Sequence, residues 1–203
     1  MTVKSFCFSI IAVAAAFSVV ASAATAASQV VLPQSGQTTC WDSSGAATAC
    51  AGTGQDGDKL AGTALPATRF TDNGNGTVTD TLTGLIWLKN ANCYSYVTWT
   101  KALSNVSKLS SGACGLTDGS KAGEWRLPNR KELQSLLNRQ QTDNNTWLIT
   151  SGFLAVQAGT YWTSTTSAES NTYSWSVDFM EASVVLGHKI TTSCYVWPVR
   201  GGQ

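Results

Sequence analysis

Cysteines constrain this fold most, because the N-terminus sends the chain to a compartment where they oxidise. Lys4 precedes an apolar run from Phe6 to Ala16, and small residues then end in Ala21-Ser22-Ala23 or Ala24-Thr25-Ala26. That order is the layout of a secretory signal peptide, assigned here to residues 1–26. The stretch from Phe6 to Val20 falls short of the about 20 apolar residues that a membrane anchor needs, so no stable membrane span is expected. Cys7 leaves with the signal, and Cys40, Cys50, Cys93, Cys114 and Cys194 remain. Closely spaced cysteines in an oxidising compartment default to disulfides. Cys40 and Cys50 flank the turn-rich Trp41-Asp42-Ser43-Ser44-Gly45, and Cys93 and Cys114 bracket a helical pattern. The expected bridges are therefore Cys40 to Cys50 and Cys93 to Cys114, each worth about 3 kcal/mol in the loop-entropy picture. Cys194 is left as a free thiol. A zinc site is the competing reading, but the chain has no C-x-x-C pair and His188 is its only histidine, so no metal is expected.

Charge narrows the partners. Thirteen basic residues stand against 12 acidic ones, and removal of Lys4 with the signal makes the balance even. Such a chain has no field for capturing nucleic acid, and no nucleic-acid partner is expected. Low charge together with eight Trp and 18 Gly is the composition of an extracellular, β-rich domain.

Along the mature chain, residues 27–66 lack apolar periodicity and read as a loop-rich N-terminal extension; residues 67–203 form the domain. Arg69 to Asp80 reads as two short strands around an Asn-Gly turn. Its Asp and Asn spacing also invites a calcium reading, but Thr83 stands where an EF-hand loop needs its twelfth-position Glu. Leu85-Ile86-Trp87-Leu88 reads as a buried strand. Trp99, Ala102, Leu103, Val106 and Leu109 recur at helical spacing, with Thr98 or Thr100 as N-cap. A second helix starts at Pro128, where Asn129 and Glu132 make a capping box and Leu133, Leu136 and Leu137 face inward. Strands are expected at 161–165, 173–179, 183–189 and 195–200. Helices early and strands late give an α+β domain, with two helices packed on short antiparallel sheets.

Candidate binding residues lie in the same stretches. Lys121, Arg126, Arg130, Lys131 and Arg139 gather around the second helix, the one basic cluster in the chain. Arg126, in its Trp-Arg-Leu-Pro turn, reads as a structural tie to backbone carbonyls. Lys121, Arg130, Lys131 and Arg139 are either an ordinary solvated face or a contact for sulfate and carboxylate groups. Trp87, Trp125, Trp162 and Trp197 read as core, whereas Trp41 and Trp147 lie in polar, turn-rich surroundings where an indole can stack on a sugar or partner. Chemistry has weaker candidates. Cys194 with His188 fits no nucleophile signature, and Asp178 with Glu181 would serve hydrolysis only across a cleft.

Four ordered motifs carry a resemblance: Gly123-Glu124-Trp125-Arg126-Leu127-Pro128-Asn129 with Glu132-Leu133; Tyr161 to Thr165; Trp175 to Phe179; and Tyr195 to Gly202. Together with Arg69 to Asp80 and Gly84 to Trp87, they are similar to the family named for the C-terminal domain of the Legionella collagen-like protein. The resemblance implies a fold related to C-type lectin-like domains and to formylglycine-generating enzymes. The calcium lectins' Glu-Pro-Asn, Gln-Pro-Asp and Trp-Asn-Asp motifs are missing, and only Cys194 stands where the oxidising enzymes carry two cysteines. The resemblance therefore implies a secreted or surface-exposed, non-enzymatic binding domain without a cofactor, directed at a glycan or matrix ligand. A divergent formylglycine-type enzyme and a purely structural surface module are the alternatives. The oligomeric state is open, with a trimer among the options.

Overall fold

The computed structural model describes residues 32–201; the signal-peptide segment lies outside the described residues. In the extension, Cys40–Trp41 (β1) and Ala47–Thr48 (β2) form an antiparallel hairpin with Cys40 opposite Thr48. Asp42 builds its turn by accepting from the backbone N–H groups of Ser44 and Ala46. The Cys40–Cys50 disulfide closes the hairpin at a Cα separation of 5.1 Å. Asp56–Lys59 (α1) then makes one helical turn where the sequence suggested only loop. Gly57 on that turn has no room for a side chain, since a Cβ would stand 2.8 Å from Cys40 Sγ. The extension is fastened to the rest of the chain through Gln140, whose Oε1 accepts from the N–H groups of Thr38 and Thr39 at 2.7 and 3.0 Å.

Phe70–Asp72 (β3) and Thr77–Asp80 (β4) form the expected hairpin. Its turn uses up its own oxygens. Asp72 accepts from Gly74 N–H and from Lys89 Nζ, and the Asn73 amide bonds across to Thr77 and Thr79. The turn is thus held by internal hydrogen bonds of the Asx type, which is why Asp and Asn recur there. Ile86–Leu88 (β5) follows, then Val97–Thr98 (β6) and Trp99–Ser107 (α2), which buries Ala102 and Val106. The Cys93–Cys114 disulfide spans α2, Cα to Cα 5.6 Å.

Arg130–Gln134 (α3) starts with the capping box: Asn129 Oδ1 accepts from Glu132 N–H at 2.9 Å, and Glu132 Oε2 accepts from Asn129 N–H at 2.7 Å. It is shorter than its leucine spacing suggests. Ser135 ends it by turning its hydroxyl back onto the Glu132 carbonyl, and Leu136 and Leu137 are buried from the turn beyond. Asn144–Thr150 (α4) is a helix not anticipated from the sequence, capped by Asp143, whose carboxylate accepts from Thr146 N–H at 3.0 Å. The described residues thus hold four short helices rather than two.

Thr160–Thr166 (β7), Tyr173–Asp178 (β8) and Ser183–His188 (β9) form a three-stranded antiparallel sheet. Gly187 lets β9 lie close on the core, because a Cβ there would fall 2.4 Å from the Trp162 ring. The segment expected as one strand over 195–200 is instead divided. Ser193–Cys194 (β10) pairs with β6, Tyr195 bridges Tyr161, and Val199–Arg200 (β11) pairs with β5 in the four-stranded order β11-β5-β4-β3. Pro198 has no N–H for a continuous ladder, so the chain changes partners around it. All pairings within the named sheets are antiparallel. Trp87, Trp162 and Trp197 at 0% exposure and Trp125 at 2% form the core with Tyr161, Phe153 and Phe179. Among the described residues, no helix is long and apolar enough to cross a membrane.

Candidate functional site

The capping box sets α3 so that Arg130 and Lys131 emerge beside β7 and β8. Arg130 is held at both ends: its N–H donates to Thr165 Oγ1 at 3.0 Å, and its guanidinium lies 4.8 Å from the centre of the Trp175 ring. A stacked guanidinium keeps its planar donor fork while losing rotational freedom. Lys131 is exposed next to it. With Asn129, Thr165, Thr166 and Ala168 they line an open cleft of about 380 Å³ that includes no carboxylate. Glu132, the nearest acid in sequence, is turned into a bidentate pair with Arg126 at 2.7 Å for each contact. Arg126 also donates to the carbonyls of Leu127 and Gly201, so its structural role is shared between an acid and the backbone. That carboxylate raises the Arg126 guanidinium above its ordinary value.

A further cation borders this cleft. Lys189 Nζ donates to Thr166 Oγ1 at 2.8 Å and to the Asn171 carbonyl at 2.9 Å, and sits 4.2 Å from the centre of the Trp99 ring. Sequence reasoning missed Lys189 and Trp175 because Trp175 meets Arg130, and Lys189 meets Thr166, only on folding. Their one signal was placement at strand positions near Tyr173 and His188.

The remaining candidates do not line this cleft. Lys121 is exposed in the loop before Trp125. Arg139 is anchored by its N–H to the Ser35 carbonyl and by its guanidinium to the Ala182 carbonyl. Trp147 sits on α4 rather than in a turn. It is half-buried, edge-on to Phe70 at 5.8 Å, and lines a second cleft of about 550 Å³. Trp41 stays at the surface, 36% exposed.

The chemical candidates are occupied by structure. Cys194 is 1% exposed, and burial pushes its thiol up to about 12. His188 Nδ1 faces the Thr191 hydroxyl at 3.0 Å, and its ring packs edge-on against Tyr173. Asp178 accepts from Thr160 Oγ1 and from the N–H groups of Met180 and Glu181, closing the turn after β8. Among the described residues, no three His, Cys, Asp or Glu side chains gather as a metal-binding group. A thiol that is both buried and un-ionised should not react. Iodoacetamide at pH 8 is therefore expected to leave Cys194 unmodified in the native protein and to alkylate it in guanidinium chloride, as read by mass spectrometry. Prompt native labelling would contradict this placement.

Residues 76–200, from the end of the β3–β4 turn to the last residue of β11, match the Lcl C-terminal domain. The chain belongs to the Lcl C-terminal domain family. This is a family of bacterial surface and secreted domains. The Lcl C-terminal domain match contains every residue of the Arg130 cleft. The second cleft is only partly inside it, since Leu65 to Asp72 precede the Lcl C-terminal domain match. A search among curated proteins finds no match.

Proposed function

We propose that this protein is a secreted or surface-exposed, non-enzymatic binding domain of C-type lectin-like fold that recognises an acidic glycan or matrix ligand at the Arg130 cleft. The observation carrying this reading is the Arg130 guanidinium stacked on Trp175 beside Lys131 in a lining without a carboxylate. A fork held in place offers two parallel hydrogen bonds to a sulfate or carboxylate at little entropic cost. Lys131 and Lys189 add positive charge around it. The hydroxyls of Thr165 and Thr166 suit the polar remainder of a sugar. Because the chain is otherwise charge-balanced, attraction is local and falls as salt rises.

The test is binding of a sulfated polysaccharide to immobilised wild-type protein and to the Arg130→Ala/Lys131→Ala double variant, at low salt and at about 0.15 M. The wild type is expected to bind with strong salt dependence. The double variant should lose most of that binding while losing less than about 1 kcal/mol of stability, the scale of an exposed cation–π contact. Binding that is indifferent to salt, or unchanged in the double variant, sinks the assignment.

A further inference from the structure

We infer that the second cleft, between the end of the extension and α4, is a separate binding site for an uncharged saccharide. It shares no lining residue with the Arg130 cleft. Its volume of about 550 Å³ falls within the range of about 300–1,000 Å³ typical of small-ligand sites.

The lining combines an aromatic platform with polar groups of both kinds. Trp147 is half-buried and fixed edge-on against Phe70, which leaves part of its indole to the cleft. Aromatic faces of this sort receive the C–H face of a sugar ring. Thr150 and Ser151 both turn their hydroxyl protons onto the Trp147 carbonyl, at 2.9 and 2.8 Å, so their oxygens remain as acceptors.

Arg69 supplies the donor. It lines the same cleft with its side chain 4% exposed. Its Nε and Nη2 are committed to Asp80, and Nη2 also to the Ser135 carbonyl. Nη1, on the side of the guanidinium turned away from Asp80, is buried with no partner. A buried donor without an acceptor is costly, and because Nη1 is closed to solvent beside the Phe70 ring, a small shift of the cleft wall that admits a ligand hydroxyl, or a water that it orders, would remove that cost.

Charge selects the class of ligand. Arg69 is neutralised by Asp80, and the one carboxylate in the lining, Asp72, is paired with Lys89 at 2.6 Å. With both charges of the lining paired, the cleft has no net positive field to attract a sulfate or carboxylate. Hydroxyls, which donate and accept, match the mixed set of groups.

The experiment is saturation-transfer NMR with a mixture of uncharged trisaccharides of glucose, galactose and mannose at high salt, where charge-driven binding is screened. Four proteins are compared: wild type, Trp147→Ala, Ala67→Trp and the Arg130→Ala/Lys131→Ala variant. Ala67 is exposed at the cleft and outside the core, so a tryptophan there fills the site without disturbing the fold should Trp147→Ala destabilise it. At least one trisaccharide is expected to bind the wild type and the Arg130→Ala/Lys131→Ala variant equally. Its affinity should fall about tenfold in Trp147→Ala, the scale of one lost stacking contact, and at least as far in Ala67→Trp, which fills the cleft. No transfer from any trisaccharide to the wild type, or unchanged affinity in Ala67→Trp, overturns the inference. Failure at the Arg130 cleft alone leaves this pattern intact.

Discussion

Asp80→Ala is expected to destabilise the protein by about 3–5 kcal/mol, the cost of leaving one member of a buried ion pair alone. Asp80 is fully buried, and its two oxygens take Nε and Nη2 of Arg69 at 2.9 and 2.7 Å. The same oxygens accept from Leu82 N–H and the Thr83 hydroxyl, so the carboxylate also holds the turn after β4. Its removal strands a guanidinium in a place from which water is excluded and frees two further donors. Urea denaturation followed by tryptophan fluorescence gives the number directly. Exchanging both partners for apolar residues, Arg69→Met with Asp80→Leu, should recover part of the loss, because no isolated charge then remains. A loss below about 1 kcal/mol in the single variant would mean that the pair is solvated and contributes little.

Trp197→Ala should have an effect of similar size, about 3–5 kcal/mol, the range for emptying a large aromatic site in a core. Trp197 is the hub of the aromatic interior. Its ring lies 5.0 Å from Phe153, 5.5 Å from Tyr161, 5.7 Å from Trp87 and 5.8 Å from Phe179. Its Nε1 donates to the Leu88 carbonyl at 2.9 Å. The substitution thus opens a cavity, removes four ring contacts and leaves a buried carbonyl without its donor. Trp41→Ala is the control, since a surface change of this kind stays within about 0.5 kcal/mol. Equal losses at the two positions in the same denaturation experiment would refute the hub.

What the sequence made legible was whatever its neighbours in the chain decide. The Asn129–Glu132 capping box needs only residues three apart, and the Asn-Gly turn of the β3–β4 hairpin needs only its own glycines and Asx side chains. β7 to β9 could be read because β-branched and aromatic residues alternate along them. α4 was hidden because it is short and contributes Asn144 and Leu148 as its buried residues, too few for a visible period. The division of 195–200 was hidden because its partners, β7 at Tyr195 and β5 at Val199–Arg200, come from two distant parts of the chain, and Ser193–Cys194 just before it pairs with a third, β6. The same limit governs the candidate sites. Arg130 and Lys131 are adjacent in sequence and were found together, whereas Trp175, the platform beneath Arg130, and Arg69, the floor of the other cleft, become neighbours only on folding.

The placement of Arg69 sets where this module can be joined to other sequences. The family match opens at residue 76, yet the cation that neutralises Asp80 lies upstream of it, as does β3, which pairs with β4 along its length. A splice at residue 76 would deliver a domain with an uncovered sheet edge and an unmatched acid in its interior. Recombination that preserves folding must therefore cut before Arg69, so that the transferable piece is longer than the stretch by which the family is recognised.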